Sequence, residues 1–276
     1  MEDDDTYAEE FKGSLNGKPV YVKFLKDKLP SVRNTRLSQK LILRHVIIQR
    51  QLNHPNIVPF LGLSEQVVSG VSGIYSISLW LNNQNLIDFV EWYPRHDKFK
   101  PICEIVEAIN YIHHFNPPII HGDINGWRII VSDKYTCYLS GFRFARVDGI
   151  DGIRDHLENA FTRRGVYYLA PEYVDEMARE AQLHRPADIF SLACTIYQIY
   201  TGKSPFANIE VDNTPLVVRS GWRPTIPPPG HWTVQELQLW SLVDLCWGQD
   251  PDGRPTIQEI SSMLLNIKTH HDILTC

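Results

Sequence analysis

The sequence lacks the features that mark several common classes of protein. Its five cysteines include no Cys-x-x-Cys pair, so they predict neither a disulfide framework nor a zinc site, and buried free thiols are the simpler interpretation. The longest run of adjacent basic residues is the pair Arg163 and Arg164, which is too short for a nucleic-acid or membrane-surface patch. No apolar run reaches the ~18 residues that a membrane-spanning helix needs. We therefore expect neither a nucleic-acid partner nor a membrane partner.

The first residues are acidic, whereas a secretory signal peptide begins with basic residues. Four of the five residues in Met1–Asp5 are acidic, and the net charge over 276 residues is −5. Hydrophobic residues make up 43% of the chain, which is enough to bury the core of one large domain or of two packed lobes. We expect an intracellular, cytoplasmic protein without a targeting signal.

The hydrophobic pattern changes from strand-like to helical near Leu81–Gln84. Before that boundary, residues 10–25 predict two strands around a turn at Asn16 and Gly17, a dipeptide that favours hairpins. The other elements predicted there are a helix at 36–52, with Ile47, Ile48 and Leu52 among the apolar residues on or near one face, and strand-like stretches at 57–63 and 74–81.

Beyond the boundary, five aliphatic residues recur at helical spacing: Ile102, Ile105, Val106, Ile109 and Ile112. Their helix is predicted to end near His114, because two prolines follow it. The remaining predicted elements are strands at 128–131 and 137–139, an irregular segment at 141–169, helices near 186–201, 233–247 and 256–267, and a rigid proline-rich loop at 223–229. The pattern divides the chain into an acidic tail at 1–10, a β-rich part at 11–81 and a helical part at 82–270.

This organisation resembles the protein kinases, and particularly their tyrosine-kinase-like branch. The motifs that carry the resemblance follow in the family's order: Val20-Tyr21-Val22-Lys23, His54-Pro55-Asn56-Ile57-Val58, His121-Gly122-Asp123, Ala170-Pro171-Glu172, Asp188-Ile189-Phe190-Ser191, and Cys246-Trp247 with Arg254-Pro255. Taken singly, Lys23 would be a strand-edge lysine and His121 a loop histidine, but the order of the motifs over roughly residues 10 to 268 favours the family. The resemblance implies an α+β, bilobal protein-kinase-like fold with a small β-rich N-lobe and a larger helical C-lobe.

Kinases hold Mg²⁺ with the D-F-G aspartate and with an asparagine of the catalytic loop. At the matching positions this sequence has Gly141, within Gly141-Phe142-Arg143, and Arg128. Glycine supplies no ligand, and the arginine stays protonated and repels a cation by about 4 kcal/mol per unit charge at ~4 Å in a partly screened site. The resemblance therefore predicts no metal site.

Other catalytic positions also depart from the family pattern. His45 stands where the family has the helix αC glutamate that pairs with Lys23, and Asn125 stands where most kinases have the catalytic-loop lysine. Only Gly13 and Gly17 precede Lys23, so the N-lobe is expected to be truncated and to lack the glycine-rich strand pair. A kinase whose first strand lies outside this sequence would explain the missing glycines, but not the changes at the two metal positions.

The positions that support the fold are retained. The resemblance implies that His121 and Asp188 organise the catalytic loop, with Asp188 bonded to its backbone, and that Glu172 pairs with Arg254. Lys23 and Asp123 are remnants of the catalytic set, and Asp123 is predicted to pair with Arg128. The sequence thus keeps architectural residues and loses those that handle metal and phosphate.

We first expect a pseudokinase, which acts as a protein-binding scaffold or allosteric regulator without transferring phosphate. No cofactor is expected. The expected partner is a protein, with an active kinase as one candidate and a homodimer left open. Three residues before the A-P-E motif could be modified by such a kinase: Thr162, Tyr167 and Tyr168. A plain packed segment is the simpler interpretation of that stretch.

The alternative is a protein kinase or other ATP-dependent transferase with weak, metal-independent nucleotide binding. Arg128 or Arg143 would replace Mg²⁺ as the counter-charge to phosphate. Ser78 matches the gatekeeper position, and three residues match the hinge that would meet adenine: Leu79, Trp80 and Leu81. We expect the cleft near these residues to be narrowed or occupied by Arg128, Arg143 or Phe142.

Overall fold

A computed structural model describes residues 10–25, 35–68, 71–82, 85–149, 165–176, 184–228, 230 and 232–275. Its N-terminal part is a four-stranded antiparallel sheet with the strand order β1-β2-β4-β3. The strands are β1 Glu10–Leu15, β2 Lys18–Leu25, β3 Phe60–Val68 and β4 Val71–Leu79, and helix α1 is Thr35–Gln51.

The predicted hairpin and the first helix are confirmed. Asn16 and Gly17 have φ values of 51° and 78°, which are the left-handed conformations that a two-residue hairpin turn of type I′ needs. Strand β1 therefore precedes the strand of Lys23, and its Gly13 packs so closely that an added Cβ would lie 2.8 Å from Val22 Cγ2. Residues 1–9, where any further strand of the glycine-rich pair would fall, lie outside the described part.

Two details of the first part differ from prediction. Strand β3 begins at Phe60 rather than Ile57, because Pro59 has no N–H to donate to a ladder, and Ile57 forms a single bridge with Leu139 instead. On α1, Ile47 is 58% exposed, although the pattern placed it near the buried face, whereas Ile48 is buried.

The C-terminal part is mainly helical. Its helices are α2 Leu86–Trp92, α3 Phe99–His113, α4 Pro171–Glu176, α5 Arg185–Thr201, α6 Thr214–Arg219, α7 Val234–Cys246 and α8 Ile257–Thr275. Its short strands are β5 Ile119–Ile120, β6 Ile129–Val131, β7 Cys137–Leu139 and β8 Arg146–Val147, which pair as β5-β8 and β6-β7. Short 3₁₀ helices cover Gly126–Arg128, Phe142–Phe144, Gly165–Tyr168, Val211–Asn213 and Pro251–Gly253.

Helix α5 is the centre of this part and is buried along most of its length. The aliphatic stripe of α3 is buried as predicted, and α3 ends at His113. The last helix runs to Thr275, eight residues beyond the predicted end. None of the described helices is long and apolar enough to cross a membrane.

The two parts are joined by the segment after α1. Val58 donates its N–H to Leu139 O at 3.0 Å, and Leu139 donates to Asn56 O at 2.8 Å. The His54 ring stacks on Tyr111 of α3, with 5.0 Å between ring centroids. The result is a small β-sheet lobe on a larger helical lobe, which confirms the predicted α+β bilobal fold.

Candidate functional site

Asp123 lies in the loop between β5 and β6, and both of its carboxylate oxygens are engaged by that same loop. Asn125 Nδ2 donates to Asp123 Oδ1 at 2.8 Å, and Arg128 Nε donates to Asp123 Oδ2 at 2.6 Å. The Asp123 side chain is 5% exposed. The Asp123–Arg128 contact predicted from the sequence is thus present, and Asn125 is a second donor that the sequence reasoning did not foresee.

Arg128 also covers Gly141. A Cβ placed on Gly141 would lie 2.6 Å from Arg128 Cδ and 3.1 Å from Arg128 Cγ, so no larger side chain fits there while Arg128 keeps its position. Gly141 has a φ of 84°, which is a left-handed conformation that disfavours most side chains. The replacements at 128 and 141 are therefore sterically matched, because the side chain of one fills the space that the other leaves.

His121 holds the loop to the strand that precedes Gly141. Its Nδ1 accepts from Asp123 N at 3.2 Å, so its Nε2 carries the proton and donates to Ser140 O at 2.9 Å. Burial lowers the pKa of His121, in agreement with this neutral tautomer. His121 is therefore a neutral side chain that is held in place by two hydrogen bonds and stabilises the loop.

Asp188, at the start of α5, anchors the backbone of the same loop with its carboxylate. Its carboxylate accepts from His121 N and from Gly122 N, both at 2.8 Å, and contacts His113 Nε2 at 2.9 Å. Burial raises the pKa of Asp188, but the hydrogen bonds from His113 and Gly122 outweigh burial, so the net pKa is lowered. Asp188 therefore stays ionised in the core and has the loop contacts that the resemblance implied.

Glu172 and Arg254 form a bidentate pair. Arg254 Nη1 and Nη2 each donate to one Glu172 oxygen at 2.7 Å, and Nη1 also donates to Pro186 O. The Arg254 side chain is fully buried. This pair fixes α4 against the loop before α8 and the start of α5.

Lys23 pairs with a neighbouring strand rather than with α1. Its Nζ lies 3.1 Å from Glu10 Oε1, at a sheet position directly opposite. On α1, the residue at the glutamate position is His45, whose pKa is lowered to about 4 by burial, and the nearby Lys23 and Arg143 act in the same direction. A hydrogen bond to the Phe142 backbone opposes that shift and joins α1 to the 142–144 turn.

The expected occupants of the cleft lie in different places. Phe142 is fully buried and packs edge-on against the His121 ring at 4.8 Å, so it belongs to the core rather than the cleft. Arg143 stacks over the Phe144 ring at 5.5 Å. The contacts of Arg128, by contrast, place its side chain beside Asp123 and over Gly141.

The hinge residues lie at the end of β4. Ser78 is buried, Leu79 donates its N–H to Pro59 O at 3.1 Å, and Trp80 and Leu81 are half-buried. Two residues that the sequence reasoning missed pack on this hinge: the Lys12 Nζ lies 4.8 Å from the centroid of the Trp80 ring, and the Tyr21 ring lies 6.5 Å from it. The signal for Tyr21 was available, since it lies two residues before Lys23 and so on the same face of β2.

The proposed modification segment is described only in part. Thr162, with Arg163 and Arg164, lies outside the described residues. Tyr167 is half-buried, but Tyr168 is buried and its hydroxyl is bonded to the Gln198 side chain. The Tyr168 hydroxyl therefore faces the core, which agrees with a packed segment at this residue.

Three curated relatives illustrate what this chain is similar to. It is 27% identical over 269 residues to the serine/threonine-protein kinase STY17 of Arabidopsis thaliana, covering 94% of this chain and 42% of the relative. It is 30% identical over 168 residues to the receptor-interacting serine/threonine-protein kinase 4 of Mus musculus, covering 60% of this chain and 21% of the relative. It is 27% identical over 266 residues to the probable serine/threonine-protein kinase drkC of Dictyostelium discoideum, covering 93% of this chain and 33% of the relative.

The chain therefore spans less than half the length of these relatives. The model of the protein kinase domain matches residues 8–264, which include the sheet, the Asp123 loop and the helices up to the first eight residues of α8. This chain belongs to the protein kinase domain family.

Proposed function

We propose that this domain is a pseudokinase of the tyrosine-kinase-like branch, which binds a protein partner and does not transfer phosphate. The observation that carries the proposal is the state of Asp123. A catalytic base must be able to accept a proton from a substrate hydroxyl. Here one oxygen of Asp123 accepts from Asn125 and the other from Arg128, so each oxygen already accepts a hydrogen bond from its own loop.

The metal positions support the same proposal. Mg²⁺ needs hard oxygen ligands in near-octahedral geometry. The glycine of the degraded D-F-G motif, Gly141, supplies none, and the Arg128 side chain fills the space beside it. A fixed guanidinium in that place opposes a divalent cation.

We also propose that the cleft takes no nucleotide as a cofactor. Tyr21 shares its face of β2 with Lys23, and its ring lies beside the hinge residue Trp80, which Lys12 covers. An adenine base would have to enter between the sheet and this hinge. A tyrosine ring in that place competes with it for the same space.

A second candidate is a catalytic kinase. The curated relatives are named serine/threonine-protein kinases, and Lys23 and Asp123 are retained. In that case, Arg128 or Arg143 would neutralise the phosphates in place of a metal, with weak ATP binding. We rank this candidate second because Arg128 is already paired with Asp123.

Phosphate transfer from radiolabelled ATP to the protein itself and to a generic protein substrate, with Mg²⁺ and with Mn²⁺, separates the two candidates. We expect no transfer above the background of the Asp123→Asn variant, because Asp123 is paired within its own loop and the metal ligands are missing. Incorporated label that disappears in Asp123→Asn would refute the pseudokinase and establish the catalytic candidate.

Nucleotide binding is tested with adenosine and ADP in a thermal-shift titration without metal. We expect no shift for the native protein or for Tyr21→Phe, which keeps the ring. Tyr21→Ala should gain a shift of a few degrees at millimolar ligand, as mass action predicts for a newly opened site. A native protein that binds as well as Tyr21→Ala would show that Tyr21 does not close the cleft.

The partner is proposed to be a protein, either an active kinase or a second copy of the chain, and the place of action to be the cytoplasm. Kinase-like lobes offer surfaces for such contacts beside α1 and on the helical lobe. Copurification and analytical ultracentrifugation of the isolated domain would distinguish a self-associating domain from one that needs another protein.

A further inference from the structure

A cavity of about 410 Å³ lies in the helical lobe, between the starts of α3 and α7 and the end of α5. Its volume is within the range of small-molecule binding sites. None of the residues discussed for the kinase-like cleft lines it. Its chemistry can therefore be considered by itself.

Three aromatic side chains line the cavity. The rings of Tyr200 and Trp240 meet edge-on with 5.7 Å between centroids, and the rings of Trp232 and Trp240 lie 5.7 Å apart at 32°. Trp240 is buried, whereas Trp232 and Tyr200 are half-buried. The negative faces of such rings attract a cation.

Two carboxylates line the same cavity. Asp97 Oδ1 accepts from Phe99 N at 2.8 Å, and Glu236 Oε2 accepts from Thr233 N and from Thr233 Oγ1. Each carboxylate thus uses one oxygen to cap a helix, and within the described part of the chain its second oxygen accepts no hydrogen bond. The capping role accounts for one oxygen of each group and leaves the other available to a ligand.

A cation already lies against this wall. Lys98 Nζ is 5.7 Å from the centroid of the Tyr200 ring and 3.4 Å from Tyr200 O. Burial lowers the pKa of Lys98, and Glu236 opposes that shift. Counting Asp97 and Glu236 against Lys98, with histidine taken as neutral, the cavity keeps a formal net charge of minus one among its described lining residues.

We propose that this cavity binds an arginine side chain of a protein partner. A guanidinium stacks on aromatic faces and donates charge-assisted hydrogen bonds to carboxylates, so Trp232 and the second oxygen of Glu236 suit it together. The inference gives the partner of the proposed scaffold its chemistry, and it rests on that proposal for its biological meaning. A proline-rich segment without arginine would use the rings but not the carboxylates.

The experiment is an NMR titration of the indole N–H signals with N-acetyl-arginine methylamide, assigned with a Trp232→Phe variant. The uncharged isostere N-acetyl-citrulline methylamide is the matched ligand. We expect the arginine compound to shift the Trp232 signal in the millimolar range and to bind at least tenfold more tightly than the citrulline compound.

Glu236→Gln keeps a side chain that can complete the capping box but removes the charge. The matched control is Glu259→Gln, because Thr256 and Glu259 form the same box at the start of α8, with Thr256 N donating to Glu259 Oε2 at 2.7 Å. Glu236→Gln should weaken arginine binding at least tenfold, and Glu259→Gln should leave it unchanged.

Equal affinities of Glu236→Gln and the native protein, equal affinities for the arginine and citrulline compounds, or no shift at tens of millimolar would each overturn the proposal. Failure of the pseudokinase proposal would appear instead as transferred phosphate. The two outcomes are therefore read in different assays.

Discussion

Two arginine–carboxylate pairs in this protein have similarly short contacts but different consequences. Arg254 and Glu172 are 82 residues apart in sequence and meet at 2.7 Å, whereas Arg128 and Asp123 are 5 residues apart and meet at 2.6 Å. The first pair joins distant segments of the helical lobe. The second ties one loop to itself and engages the carboxylate at the position of the kinase catalytic base.

The comparison shows that a short ion pair does not by itself indicate a role. Arg254 is fully buried, so its charge depends on Glu172 and on the carbonyls around it, while the Arg128 side chain remains 20% exposed. Removing one partner from a buried pair leaves an uncompensated charge in the core. We therefore expect the two pairs to differ in what they contribute to stability.

The largest effect is expected for Arg254→Ala. It should lower the free energy of unfolding by about 3–5 kcal/mol, because Glu172 is left without its bidentate partner. Urea denaturation followed by circular dichroism measures it, with Arg50→Ala on the exposed end of α1 as the control, expected to stay within about 0.5 kcal/mol. A decrease in unfolding free energy for Arg254→Ala as small as that of the control would contradict the larger structural role of the Arg254–Glu172 pair.

The next effect concerns the pH dependence of stability. It compares the two ion pairs with a third contact, which joins His45 on α1 to the Phe142 backbone. The pKa of His45 is lowered to about 4, so between pH 6.5 and 4 the unfolded chain binds a proton that the native state refuses. The contribution of His45 to the unfolding free energy is complete above pH 6.5. It falls as the pH decreases through this interval, by about 1.4 kcal/mol per pH unit and about 3 kcal/mol in all.

His45→Gln keeps a donor for the Phe142 backbone and removes this titration. Its unfolding free energy should fall less steeply between pH 6.5 and 4 than that of the native protein. The remaining slope belongs to other groups, among them His121, whose pKa burial also lowers. His114→Gln, at an exposed position, should follow the native profile; a native profile for His45→Gln as well would contradict the assignment.

The smallest effect is expected in the Asp123 loop. Arg128→Ala should cost about 2 kcal/mol, less than Arg254→Ala, because Arg128 is partly solvated and Asp123 keeps its bond from Asn125. The same denaturation experiment measures it. Unchanged stability would show that the Arg128–Asp123 pair occupies the carboxylate without stabilising the fold.

The steric match between positions 128 and 141 sharpens this last result. Gly141→Asp alone should be destabilising, since its Cβ meets Arg128 and its φ is left-handed. Together with Arg128→Asn, it should cost about 1–2 kcal/mol less than the sum of the two single changes. Strict additivity would mean that the two sites do not share space.

Much of the fold could be predicted because it depends on local patterns. The Asn16-Gly17 turn, the buried stripe of α3 and the order of the kinase motifs are properties of neighbouring residues, and each was found in the predicted place. The start of β3 was missed because a single proline decided it. The end of α8 was missed because no strong stop signal follows its periodic residues.

The sequence alone determined which chemical groups stand at the metal and base positions, because residue type fixes whether a ligand exists there. Only the tertiary structure decided what those groups touch. It placed Arg128 over Gly141, gave Asp123 a second donor in Asn125, and turned Lys23 towards Glu10. The physical reason is that periodicity reports the face of one element, whereas a contact between side chains depends on how loops and elements pack in three dimensions.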